Sequence, residues 1–255
     1  MARRSPPVQT SPARWDTVDA WRGLAMVWMT VFHFCFDLNN YGLIQQDFNH
    51  DPLWTWQRTC ILSLFLLCAG AGQALALHRG QSWQRFGRRT LQIAGCALLV
   101  SAGSALMFPA TFIYFGVLHG MVVMLLIVRL TAGWGRWLFV LGTLAVATKF
   151  IAASAIPLWP ALGFLNEKGW NVLGLVSALP VTQDYVPVIP WLGVMWWGFA
   201  LCQEWLARQN RYRPRVAAKG MLVRLLAPLG RWSLSYYMVH QPVLLGGLWL
   251  FRQFW

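Results

Sequence analysis

Long apolar stretches almost empty of charge constrain this chain more than any other feature. Thr59–Leu77, Thr90–Phe108, Ala110–Val128 and Tyr185–Gln203 are windows of 19 residues with no Asp, Glu, Lys or Arg, and Trp232–Phe251 is one of 20. Ala20–Leu38 joins them apart from Arg22, and Trp137–Ile156 apart from Lys149. About 20 mainly apolar residues are what a helix needs to cross a bilayer core. Backbone groups in lipid must be satisfied within the segment, and no alternating strand pattern is present, so the segments are expected as helices. Composition agrees: 57% of residues are hydrophobic and 11% charged, against about 25% charged in a soluble domain. The expected fold is all-α, a polytopic integral membrane helical bundle of seven spans in one domain over residues 16–255. Met1–Trp15, with Pro6, Pro7 and Pro12, is expected as a disordered cytoplasmic lead rather than a cleaved signal.

The charge distribution supplies an orientation. Seven spans place 17 of the 21 cations on one side, from Arg3 to Arg231, and leave Arg58, Lys149, Lys168 and Arg252 on the other. That second side also collects Asp37, Asp47, Asp51, Glu167 and Asp184, five of the eight acids. Lys and Arg accumulate in cytoplasmic connections, so the N-terminus is expected inside and the C-terminus outside. The net charge of +13 is then a topology signal, and nucleic acid is not an expected partner.

Five cysteines, an odd number without a CxxC pair, suggest neither a disulfide framework nor a metal site. No phosphate loop, HExxH or GxSxG occurs, and no internal repeat is evident. Two outer connections stand out. Asn39–Leu53 is polar, and Pro157–Asp184 is long, with an apolar run Trp170–Val181 too short to span and expected either as re-entrant or interfacial packing or as a surface helix.

Ionisable groups inside a membrane are costly and usually face a cavity or a partner. His33 and Asp37 are four apart and share a helix face near the outer end of the first span. A carboxylate beside an imidazole can fix its tautomer and raise its basicity, as a general base requires; anchoring the helix is the structural alternative. His50 lies in the outer loop beside Asp51, with Trp54 four residues on. His119 is expected about 12 Å deep, eight residues into its span at 1.5 Å per residue. His240, before Gln241 and Pro242, sits in the cytoplasmic half of the last span. For these two, structural and functional roles are equally open. Asp19 suits the start of the first helix, and Arg22 could bind phosphate or reach toward the headgroups.

Asp19-Ala20-Trp21-Arg22-Gly23-Leu24-Ala25, followed by a Met-rich helix and His33, resembles the start of the heparan-alpha-glucosaminide N-acetyltransferase catalytic domain, especially its bacterial members. Phe115–His119, Pro190–Gly193, Leu229–Leu234, Tyr237 and His240–Val243 extend the resemblance over nearly the whole chain. It implies a transmembrane enzyme that moves acetyl from cytosolic acetyl-CoA to an amine or hydroxyl of a sugar or envelope glycan at the outer face of a bacterial inner membrane. His50, ahead of Trp54, matches the family's catalytic histidine. The family's amide-bearing helper falls on His33, where this chain has imidazole.

The implied site is thus His50, His33 and Asp37, with Asp37 or Asp51 orienting the base. Contacts to the donor are expected from Arg22, Arg88, Arg89, His119, Arg231 and His240. Acetyl-CoA is the expected donor, and no metal is expected. The bilayer and a glycan acceptor are the other expected partners, and a homodimer is left open. A proton-coupled transporter or flippase of sugars or lipids is the competing reading, in which the same histidines and acids would form a proton relay.

Overall fold

The computed structural model describes residues 16–209 and 220–254. The lead Met1–Trp15 and most of the basic stretch before residue 220 lie outside them. Eight α-helices make up the described fold: α1 Asp16–Asn40, α2 Pro52–His78, α3 Trp83–Met107, α4 Val117–Leu130, α5 Trp137–Leu158, α6 Val188–Gln209, α7 Met221–Arg231 and α8 Ser233–Phe254. Helices α2, α3 and α5 are each long and apolar enough to cross a membrane. At 25, 22 and 22 residues, α1, α6 and α8 are of similar length, but polar side chains interrupt their apolar surface.

Side-chain contacts fix the relative directions. Arg22 meets Cys68 while Trp28 meets Gln57, so α1 and α2 are antiparallel. Ser101 meets His119 and Gln81 meets Arg129, which makes α3 and α4 antiparallel. Arg136 meets Glu204 while Phe139 meets Trp197, so α5 and α6 are antiparallel. Short turns containing Gly80 and Gly135, both at positive φ, join α2 to α3 and α4 to α5. Helix α8 runs parallel to α1, since Thr30, His33 and Asp37 pair in order with Tyr236, His240 and Gln241. Directions therefore alternate within each of these three pairs, and α8 repeats that of α1. Below, the end of the bundle holding Asp16, His78 and Trp83 is the basic end, and the end holding Asn40, Pro52 and Val117 the far end.

The core lies among α2, α4, α5 and α6, where Leu66, Met124, Leu138, Met195 and Phe199 are fully buried. Small residues let backbones touch, as is common between membrane helices. A Cβ on Gly70 would collide with the Met195 carbonyl, and one on Gly198 with Leu67.

Three expectations need correction. The span at Ala110–Val128 is helical only from Val117 to Leu130, 14 residues or about 21 Å; residues 109–116 are irregular. They run beside 182–186, with Gln183 N–H donating to Thr111 O at 2.9 Å and Val186 N–H to Phe115 O at 3.1 Å. His119 is accordingly in the first turn of its helix, not two turns deep. Second, Trp170–Val181 is not a surface helix; apart from a 3₁₀ turn at Asn171–Leu173 it is irregular. Third, the connection read only for its charge contains α7, which lies antiparallel on the first turns of α1, with Ala227 and Gly230 buried.

Candidate active site

Where α1 and α8 meet toward the far end, polar side chains line one seam. The 30/33/37 spacing on α1 and the 236/240 spacing on α8 each put these residues on one helix face, with Gln241 one position round from His240. Thr30 Oγ1 and Tyr236 Oη are 2.7 Å apart. His33 Nδ1 and His240 Nε2 are 2.9 Å apart, their rings stacked at 5.1 Å. His240 Nδ1 lies 2.7 Å from the Tyr237 carbonyl. Asp37, 1% exposed, accepts from Gln241 Nε2 at 2.9 Å on each carboxylate oxygen. The expected sharing of a face by His33 and Asp37 is present, but Asp37 bonds the amide of Gln241, and the partner of His33 is another imidazole.

The seam's hydrogen bonds order its protons. A carbonyl only accepts, so His240 Nδ1 carries the proton and its Nε2 is the acceptor. His33 must then donate from Nδ1, which leaves its Nε2 with the lone pair.

The loop between α1 and α2 folds back over this end. Phe48, 4% exposed, stacks on Trp54 at 4.1 Å and meets Phe32 and Phe36 edge-on. His50 does not follow it inward. Its side chain is 85% exposed and its Nδ1 lies 2.9 Å from Asp47. The acid beside His50 is therefore Asp47, not Asp37 or Asp51. Asp51 instead caps α2, accepting from Leu53 N–H at 2.7 Å. The His50 and Asn49 amides and the His50 ring hold the Asp47 carboxyl below its usual range.

His119 is held at the start of α4. Gly116 N–H donates to its Nδ1 at 3.3 Å, and its Nε2 lies 3.1 Å from Ser101 Oγ, which donates to Ile113 O at 2.6 Å. Both ring nitrogens are engaged in capping and loop closure. Asp184 accepts from Val117 N–H at 2.8 Å. Burial pushes its carboxyl up to about 6, against the opposing pull of the Val117 amide and Arg58. Ser101 carried no sequence signal of its own, being a polar residue in an apolar segment; Gln241 figured only within the His240–Val243 resemblance, and Asp184 only as an outer acid.

At the basic end, Arg231 pairs with Asp16 at 2.6 Å and approaches Asp19 at 3.8 Å. Arg22 bonds Asp19 at 3.1 Å and the carbonyls of Cys68 and Gly230 at 3.2 and 3.4 Å. Two of the four expected donor-binding cations, Arg22 and Arg231, are thus engaged by the protein itself. Arg88 and Arg89 are exposed on the first turns of α3.

The described residues form a helical bundle, with apolar helices long enough to cross a membrane, which is the build of a membrane protein. The family model described as heparan-alpha-glucosaminide N-acetyltransferase, catalytic, matches residues 14–242, and the chain belongs to that family. It is accordingly a membrane acetyltransferase in general terms. No curated protein and no solved structure matches it.

Proposed function

We propose that the protein takes acetyl from acetyl-CoA at the basic, cytoplasmic end and delivers it to an amine or hydroxyl of a sugar or envelope glycan at the far, outer end. Counting α1–α6 and α8, the chain crosses the bacterial inner membrane seven times, N-terminus in and C-terminus out. The observation that carries the reading is the His33–His240 pair, inside the bundle of a chain from an acetyltransferase family.

A base for acyl transfer must present a lone pair in a fixed direction. His33 Nε2 meets that requirement, and it is assigned the proton of the acceptor. Asp37 backs it through Gln241. His50, exposed and paired with Asp47, receives the acceptor at the mouth. Arg88 and Arg89 take the phosphates of the donor, because planar guanidinium forks suit multiply charged anions.

The test is purified protein in vesicles, radiolabelled acetyl-CoA and an extract of envelope glycans. Label should pass to the extract only with acetyl-CoA present; activity without that donor would overturn the reading in favour of transport. Orientation has its own check. A cysteine at Gln46 should react with an impermeant reagent in intact cells, and labelling only after lysis would reverse the topology.

A further inference from the structure

Gln241 Oε1 is buried and has no hydrogen-bond partner. Its amide nitrogen is committed to both oxygens of Asp37, and the carboxamide lies beside His33. A buried carbonyl oxygen without a donor costs about 1–3 kcal/mol, so one held beside a reactive imidazole calls for an explanation. His33 Nδ1–H is already given to His240, so a proton arriving at Nε2 is the one further donor the His33 ring can offer. An acceptor group satisfied only when the base is charged stabilises the product of proton abstraction more than the resting state, and that is the condition for lowering a barrier.

We propose that His240 and Gln241 are positioning residues for His33. His240 locks the tautomer that exposes Nε2, and Gln241, polarised by Asp37, accepts from the imidazolium once Nε2 is protonated. The inference rests on the acetyl-transfer reading. In the step itself the acceptor X–H gives its proton to His33 Nε2, and the electron pair on X forms the X–C bond to the acetyl carbonyl. The C–S bond breaks with its pair on sulfur, and the thiolate takes the proton from His33. Acetyl-CoA and X–H thus become X-acetyl and CoA–SH, with His33 restored. His240 touches no reacting atom; it acts through His33.

Two substitutions at one position separate a tautomer lock from simple packing. In His240→Gln, the amide can still donate to the Tyr237 carbonyl and accept from His33 Nδ1–H. In His240→Leu it can do neither. The full-length protein in detergent is assayed for acetyl-CoA binding, kcat, and the rate at which diethyl pyrocarbonate acylates His33, read by peptide mass. His240→Leu should lower kcat by about 100-fold, within the range for a disabled general base, with acetyl-CoA binding within about twofold. His240→Gln should recover to within about tenfold of wild type. Acylation of His33 should be several-fold slower in His240→Leu than in wild type or His240→Gln. Gln241→Met should cost about tenfold in kcat with KM for acetyl-CoA unchanged.

Equal behaviour of the Leu and Gln variants, in kcat and in acylation, would overturn the lock. A wild-type protein inactive with acetyl-CoA would defeat the functional reading instead, and the acylation order would still decide the tautomer.

Discussion

Helix α1 carries a polar cluster toward each end, and the two are built on opposite principles. At the basic end every group is a formal charge facing its opposite: Arg231 on Asp16, Arg22 on Asp19, with spare guanidinium hydrogens placed on carbonyls. At the seam with α8 the pairings are imidazole to imidazole and carboxylate to amide, and one buried acceptor is left over. Matched charges hold helices together. Unmatched buried polarity is costly to the resting fold and calls for an explanation. On the proposed reading, docking of α7 falls to the first cluster and proton transfer to the second.

Exchanging the tests between the clusters sharpens the comparison. The largest effect should come from His33→Ala, which removes the base. Transfer should fall by about 10²–10⁴, with the melting temperature and acetyl-CoA binding little changed; an active His33→Ala protein would return the chemistry to His50. Arg231→Ala should do the converse. It removes the Arg231 contact from Asp16, 8% exposed, for about 1–3 kcal/mol of stability after allowing for the partly exposed arginine. The protein that remains folded should turn over normally, and a kcat effect without a stability effect would break the division.

Next is the pair Arg88 and Arg89. Replacing both by Gln should weaken acetyl-CoA by one to two decades, each charge-assisted bond contributing about 1.5–3 kcal/mol, and leave transfer at saturation intact. Unchanged binding would make them topology signals only.

The smallest effect concerns Asp184. Its folded carboxyl titrates at about 6 against an ordinary 3.8, so the folded state favours the protonated acid. Stability is full below the ordinary value and declines as pH rises through 6. Melting between pH 5 and 7 should therefore drop by a few degrees, and Asp184→Asn should flatten the slope. An unaltered slope would place the titration elsewhere.

Much of this architecture was legible in the residues. Apolar length alone located every long helix, and the four-residue spacing of His33 and Asp37 identified a common face. The misreadings share a cause. Residues 109–116 are apolar enough to continue a span, yet Asp184, 68 positions from Gly116, supplies the cap that starts α4 at Val117. Asp47 rather than Asp51 meets His50 because Asp51 is needed at the α2 N-terminus. Windowed hydropathy sees neither, since both depend on which backbone donors lack partners once the loops are folded. The His33–His240 contact joins residues 207 apart, and no spacing rule reaches across that separation.

One close approach at the basic end bears on the distant seam. Gly230 touches the Asp19 backbone so tightly that any Cβ there would collide with it, and Trp232 is the single residue between α7 and α8. The contact works as a datum from which α8 is measured out, because the ring of His240 lies only two to three helical turns beyond it. Lifting α7 off α1 by the width of a methyl group would displace the origin of α8 and carry the imidazole out of alignment with His33. The accuracy of the hydrogen bond between the two histidines is thus set partly by a residue that has no side chain, packed against the opposite end of α1.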